Sequence, residues 1–425
     1  MQLELFPRQI VKRKLPTNLT TNNHPIHRWF NFIAGFSPEF VQTCIHDAEL
    51  KKTQVLIDPF AGLSTALVQA NFEGIPSVGF EPHPFFFDIS QAKINPPEDY
   101  TVVDRIRAEI AEVTPFTGEL NSVWSESAVK FLRKLIPKQD LRLLAKAVLI
   151  EDRICASARE LYRLIVSRVL ELTSKSKTDG IYKAPTTKKK AVAYHEAVRT
   201  VCTEIRRDIE VIGHAFPRQA TLFSTSSESM SVLENEICSI CVTSPPYLNN
   251  FDFAEMTRME LYFWRYAGSW REITERVRRN LIVNTTTAPT DVKKDQSRFK
   301  ATLSKQMRSS LSPLVEALEE ERRSRAGKKD YYLLVYPYFS QMQSVFKELG
   351  RVLETGSLFH LVVADSALYG VHIETQNLLA GLMEETGFEV LRIEQLRKRG
   401  ERWILEKRTG AKKGLGEYHI VAKRT

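Results

Sequence analysis

Residues 55–81, VLIDPFAGLSTALVQANFEGIPSVGFE, restrict the fold of this chain more than any other stretch. The aliphatic run 55–57 reads as a strand that ends on Asp58 and is followed by the turn Pro59-Phe60-Ala61-Gly62. LSTALVQANFEG then reads as a helix, with Gly74 at its C-terminus. Residues 77–80 read as a second strand that closes on Glu81. Strand, glycine turn, helix and a strand ending in an acid together make a βαβ unit of the kind that holds a nucleotide.

The rest of the chain extends this pattern. Strand character recurs at 221–224, 237–242, 357–364, 389–396 and 418–422, while the apolar run 331–335 fits either a strand or the start of a helix. Helical patterns lie between them, notably SQMQSVFKELGRVLE and TQNLLAGLMEETG. This alternation predicts an α/β fold, a mostly parallel seven-stranded sheet with helices on both faces. The last two strands are joined by a basic loop with no helix, so they are expected to pair antiparallel.

Two stretches break the alternation. Residues 101–220 carry almost no strand signal, and their periodicity predicts an inserted helical region. LRLLAKAVLIEDRICASARELYRLIVSRVLEL reads as one long amphipathic helix and KKKAVAYHEAVRTVCTEIRRDIEVIG as another. SKSKTDGIYKAPTT separates them, with Gly180 and Pro185 as breakers, which suggests a helical hairpin with a lysine-rich tip. Residues 271–330 form a second, polar and basic insert. The divisions expected are therefore 1–100, 101–220, 221–270, 271–330 and 331–425.

Charge points to a class of partner. The net charge is +9, and it is concentrated. From residue 391 to the end there are eleven Lys/Arg against four Asp/Glu, and residues 173–190 hold six lysines against Asp179. Such clusters suit a phosphate backbone or an anionic membrane surface, or are simply solvated faces. No apolar run is long enough to span a bilayer, and MQLELFPRQIVKRKLP lacks the apolar core of a secretory signal. Five cysteines, an odd number, are expected to be reduced thiols in a cytoplasmic protein. Cys238 and Cys241 form a C-x-x-C with no second pair, so they read as small buried hydrophobes and no metal site is expected.

The strand 237–242 runs into Thr243-Ser244-Pro245-Pro246-Tyr247. Two prolines end the sheet ladder abruptly and stiffen the segment beyond it. The exocyclic amine of a base is a poor nucleophile because its lone pair is delocalised into the ring. Acceptors held at its two hydrogens, the Ser244 oxygen and the Pro245 carbonyl, favour a pyramidal nitrogen that attacks an electrophilic methyl, and Pro245 and Pro246 hold them rigidly. Tyr247 offers a flat face for a base turned out of its duplex. The plainer alternatives are a strand-to-helix turn at Asp58–Gly62 and a structural cis-proline turn at Pro245-Pro246.

Together, DPFAG and VTSPPY resemble the S-adenosylmethionine-dependent DNA amino-methyltransferases, particularly the TSPPY type that methylates cytosine N4. The resemblance covers the sheet segments, about two thirds of the chain, and implies a Rossmann-like methyltransferase. It places Asp58, Phe60, Gly62 and Thr65 at the cofactor's methionine moiety and Glu81 on its ribose, and Ser244, Pro245, Pro246 and Tyr247 at the target base. HRWFNFIAGFSPEFV is similar to the family's upstream cofactor motif, which implicates Phe36 and Ser37. LNNFDFAEMTRMELYFW is similar to the segment after the tetrapeptide in some members, so Asn249, Asn250 and Asp252 become substrate-side candidates, with loop capping as the equal alternative. Double-stranded DNA is the implied partner, with Lys175, Lys177 and Lys188 of the hairpin tip as phosphate contacts and a cognate restriction or defence protein as a further partner. The chain departs from the family in two places. Leu63 and Ser64 stand where a second glycine is usual, and FSTSSESM offers Ser226 or Ser227 where an acid would meet the adenine ring.

Three other readings stay open: adenine N6 methylation, methylation of guanine in tRNA, and a non-catalytic nucleic-acid-binding relative. Carbon-5 cytosine methylation needs a thiol nucleophile, typically in a Pro-Cys pair, and no cysteine here comes after a proline.

Overall fold

Leu56 and Ile57 are adjacent in the chain but belong to different cores. Side chains alternate across a strand, so a strand buried on both sides feeds two hydrophobic layers at once. Ile240 and Val242 join Leu56 on one face, and Cys241 joins Ile57 on the other. The near-continuous apolar runs in the sequence result from this central position.

The computed structural model describes residues 18–30, 35–178, 183–324, 329–399 and 415–425. Helix α1 (Pro38–Asp47) precedes β1 (Leu56–Asp58), and α2 (Thr65–Glu73) leads to β2 (Ser77–Phe80). Next come α3 (Pro84–Ile94), α4 (Thr101–Ala111), α5 (Glu126–Leu135), α6 (Lys138–Leu149) and α7 (Arg159–Thr173). A hairpin of β3 (Ser176–Thr178) and β4 (Lys183–Lys188) separates them from α8 (Tyr194–Ile212), β5 (Ala220–Phe223) and β6 (Cys238–Thr243). The second insert holds α9 (Phe253–Met256), α10 (Arg258–Phe263), α11 (Trp270–Arg276), α12 (Thr290–Lys294), α13 (Gln296–Thr302) and α14 (Lys305–Ser324). After it come α15 (Tyr332–Val352), β7 (Leu353–Ala364), the small hairpin β8 (Ser366–Leu368) and β9 (Val371–Ile373), α16 (Thr375–Glu385), β10 (Phe388–Arg399) and β11 (Leu415–Arg424).

The main sheet has seven strands in the order β10-β11-β7-β6-β1-β2-β5. Strands β5, β2, β1, β6 and β7 run parallel, and β11 lies antiparallel between β7 and β10. This is the Rossmann-like architecture expected, with the last strand reversed. The chain leaves β1 toward β2 and β5 on one side and later returns through β6 and β7 on the other. That reversal opens a crevice beyond the carboxyl ends of β1 and β6, where open α/β sheets bind ligands.

The structure corrects several local expectations. The long helix expected at 141–172 is broken into α6 and α7 by two short 3-10 turns at Glu151–Arg153 and Ala156–Ala158. Buried Glu151 binds Arg163, which also reaches Asp88 on α3. This ion cluster closes the turn, and no local propensity encodes it. The tip between α7 and α8 is a β-hairpin rather than a bare loop. Residues 331–335 open α15, which continues through Pro337.

The helical insert also anchors the start of the described chain. Asp208 on α8, only 2% exposed, accepts from Trp29 Nε1 at 2.8 Å and Arg28 Nε at 3.0 Å.

Candidate functional site

Asp58 ends β1 at the switch point. Its Oδ1 accepts from the Phe60 N–H at 3.0 Å and from Thr243 Oγ1, at the end of β6, at 2.6 Å. The DPFAG turn and the TSPPY strand are therefore tied by a buried hydrogen bond across neighbouring strands. Burial pushes the Asp58 carboxyl up to about 7, against these two donors.

The turn then places Gly62 at φ +53°, with only the Phe60 carbonyl oxygen near where a Cβ would sit, at 3.9 Å. Ser64 takes φ 59°, ψ 37°, also left-handed, before Thr65 opens α2. Serine thus holds a left-handed conformation that glycine adopts without penalty, at a strain cost of about 1 kcal/mol. Its buried hydroxyl has no hydrogen-bond partner among the described residues. From α3, Ser90 Oγ donates to the Gly62 carbonyl and Lys93 Nζ to the Leu63 carbonyl, both at 2.8 Å. Burial lowers the Lys93 amine to about 7. Leu63 and Ser64 are accommodated by a loop braced from below.

Glu81, beyond β2, is 6% exposed, and its Oε1 accepts from the His83 N–H at 2.7 Å. Burial pushes its carboxyl from 4.5 up to about 8; the His83 and Gly62 N–H groups oppose the shift and Asp58 adds to it. Burial also lowers the His83 imidazole to about 3, so the ring is neutral.

Ser226 lies just beyond β5, and an acid, Glu228, follows two residues on. The Glu228 N–H donates to Ser226 Oγ at 3.3 Å, and Gln341 Nε2 donates to Glu228 Oε2 at 3.0 Å. Burial raises the Glu228 carboxyl. Matching by position alone passes over Glu228, although the acid is present in the string FSTSSESM.

Beyond β6, Pro245 is buried while Ser244, Pro246 and Tyr247 are partly exposed. Every peptide bond among the described residues is trans, so Pro245-Pro246 is not the cis turn held open as an alternative. Ser244 Oγ donates to Tyr247 Oη at 3.4 Å, and Tyr247 Oη donates to Glu417 Oε1 at 3.2 Å. Glu417 lies on β11, at the far end of the chain, and no motif marked it.

For the residues after the tetrapeptide, the contacts are those of loop capping. Asn249 Oδ1 accepts from the Phe251 N–H at 3.2 Å. Asn250 Oδ1 accepts from the Thr286 N–H at 2.8 Å and its hydroxyl at 3.0 Å. Asp252 caps α9 through the Glu255 N–H at 3.0 Å and binds Arg278 Nε at 2.9 Å and Thr287 Oγ1 at 2.6 Å. These contacts are those of the loop-capping alternative for Asp252.

Upstream, Phe36 is buried against Phe40, and Ser37 Oγ accepts from the Phe40 N–H at 3.2 Å, capping α1. Helix α1 packs on β6 and on α2, the helix that Thr65 opens. In the insert, exposed Lys175 donates its backbone N–H to the Leu135 carbonyl at 2.7 Å. Lys177 and Lys188 contribute backbone to β3 and β4, and their side chains lie outside the described residues, as do residues 400–414 of the basic tail.

Cys238 and Cys241 are buried free thiols in β6, as their strand-like context predicted. A different trio, Cys44, His360 and His419, brings possible ligand atoms within 4.8 Å of one another in the core. The two imidazoles hydrogen-bond each other at 3.1 Å.

No family model matches the chain. It is 23% identical, in an alignment 464 positions long, to the Type II methyltransferase M.BsoBI of Geobacillus stearothermophilus, covering 97% of this chain and 86% of that one. It is also 23% identical over 411 residues to the Type II methyltransferases M.AvaI of Nostoc sp. and of Anabaena variabilis, covering 90% of this chain and 83% of each of theirs.

Proposed function

We propose that this chain is a DNA methyltransferase that transfers a methyl group from S-adenosylmethionine to the exocyclic amine of a base, cytosine N4. The reading is carried by the convergence of DPFAG and TSPPY at the switch point, joined by the 2.6 Å bond between Thr243 Oγ1 and Asp58. The likeness to Type II methyltransferases over nearly the whole chain supports DNA methylation, without choosing between the bases.

The residues present fit the cofactor. Carboxylates close β2 (Glu81) and lie just beyond β5 (Glu228), where ribose hydroxyls and an adenine amine need acceptors. The Gly62–Ser64 loop leaves open space at Gly62 and an unpartnered buried hydroxyl at Ser64. Phe36, Ser37, Phe60, Thr65 and Ser226 complete the proposed wall. Held by these residues, S-adenosylmethionine would supply an electrophilic methyl for the amine nitrogen, with its sulfonium sulfur as the leaving group. Ser244 Oγ and the Pro245 carbonyl accept from the two amine hydrogens, and the surplus proton leaves past them to water. Tyr247 gives the everted base a surface to stack on.

DNA is the proposed partner, held in part by Lys175, Lys177 and Lys188, and a cognate restriction or defence protein is proposed beside it. No helix among the described residues is long and apolar enough to cross a membrane.

The test is incubation with labelled S-adenosylmethionine and DNA or RNA, with mass spectrometry of the nucleosides as the readout. N4-methylcytosine in DNA is expected. N6-methyladenine would move the assignment to the other base, label in RNA alone would reject DNA as substrate, and no label anywhere would reject the activity.

A further inference from the structure

We infer that Glu417 sets the direction in which the Tyr247 and Ser244 hydroxyls point, and so fixes Ser244 as an acceptor for the substrate amine. This inference rests on the amine-methylating reading above. Glu417 sits near the start of β11, opposite Ala364 on β7 and Arg397 on β10. Because β11 runs antiparallel, its N-terminal end lies at the carboxyl edge of the parallel strands, the edge at which β6 gives way to Ser244. Glu417 is 4% exposed, and it is held by Arg397 through Nε to Oε2 at 2.7 Å and Nη2 to Oε1 at 3.3 Å.

A carboxylate paired with a guanidinium accepts hydrogen bonds and has no proton to give. The Tyr247 hydroxyl must therefore donate to Glu417, across 3.2 Å. That leaves the phenol oxygen as an acceptor, and Ser244 Oγ donates to it across 3.4 Å. A long contact of this kind is typical before substrate binds and tightens in the complex.

Serine carries a single hydroxyl proton. Once that proton is committed to Tyr247, the remaining Ser244 lone pairs are what an approaching amine meets. A freely rotating Ser244 would also sample the opposite state, donating to the amine nitrogen and occupying the lone pair that must attack. Glu417 removes that state through Tyr247. It is a positioning residue, supported in turn by Arg397, and Ser244 is the group that meets the substrate.

The experiment compares E417Q, Y247F, S244A and the double variant S244A/E417Q in single-turnover methyl transfer, with cofactor affinity and DNA KM measured alongside. E417Q can turn its amide to donate instead of accept, and Y247F deletes the relay atom; each is expected to lower kcat about tenfold, with cofactor affinity and KM within about twofold. In the S244A background E417Q is expected to cause no further loss, because there is no hydroxyl left to direct. A purely structural role for Glu417 would instead give the same loss with or without Ser244, or a loss confined to KM, and either result overturns the relay. If E417Q does not fold, Y247F with S244A/Y247F makes the same comparison, since only a hydroxyl is removed. A wild type that methylates no DNA rejects the underlying reading, whereas additive losses in an active wild type reject the relay alone.

Discussion

If Glu81 holds the cofactor's ribose, S-adenosylmethionine affinity should depend on pH with a slope that this one residue dictates. Glu81 is buried, which pushes its carboxyl up to about 8, so at neutral pH the empty site is mostly protonated. Two ribose hydroxyls donate best to the ionised form, so binding must expel the proton. Affinity therefore rises with pH and levels off above about 8. Two pH units below that value, about 1% of the acid is ionised, so affinity at pH 6 should lie about 100-fold below its high-pH limit. Titration calorimetry from pH 6 to 9, in buffers of differing ionisation enthalpy, reads both the affinity and the proton released. Close to one proton should be released at pH 6 and almost none at pH 9. The neighbouring groups do not mimic this. His83 is neutral throughout, with its imidazole lowered to about 3. Asp58 and Lys93 both titrate near 7, but E81Q leaves them in place. E81Q should therefore flatten the profile at a weakened affinity. A slope that survives E81Q, or a flat wild-type profile, refutes the assignment.

The same geometry sets other expectations. A carboxyl whose folded pKa is raised stabilises the fold at low pH and loses that contribution as pH climbs from 4.5 through about 8, so E81Q should stabilise the empty protein at pH 8 by a few kcal/mol and have little effect at pH 4, read by thermal melting. Arg278 is 2% exposed and pairs with Asp252 at 2.8 Å, so R278A strands a buried carboxylate and should cost about 3–5 kcal/mol in denaturant unfolding; a loss below about 1 kcal/mol would mean that water reaches the site. Ser64 is left-handed, so S64G should raise stability of the empty protein by about 1 kcal/mol, and a lower melting temperature would contradict the strain assignment. If Lys175, Lys177 and Lys188 bind phosphates, replacing all three with alanine should reduce the slope of log K against log salt by about 0.9 for each phosphate no longer neutralised, and an unchanged slope removes the hairpin from the DNA interface.

Local chemistry accounts for what was legible in the sequence. Asp58, Gly62, Glu81 and the Pro245-Pro246 pair announce themselves because a strand end, a left-handed turn and a halted ladder each demand particular residue types within a few positions. The central strands could be read for the same reason. A strand buried on both faces is a run of apolar side chains whatever surrounds it, and the structure has all seven strands, the exposed edge strand β10 included, within a few residues of their expected places. Glu228 was equally present in the string but lies two positions from where the family's pattern leads the eye.

Helix periodicity, by contrast, could not reveal the break between α6 and α7, because Arg163 makes it by reaching Glu151 and Asp88 from different helices. Nor does any rule of spacing announce that Asp252 caps α9 and pairs with Arg278, 26 residues further along the chain. By itself the sequence determined the parallel sheet and the two motifs at its centre, since strand patterning and turn chemistry act over a handful of residues. Only the tertiary structure decided how those motifs are held. The bond between Thr243 and Asp58 joins residues 185 positions apart, and that between Tyr247 and Glu417 joins residues 170 apart. Bonds of such separation are made by the order in which strands pack, and the pairing of β11 against β7 is what carries Glu417 to the edge where β6 gives way to Ser244.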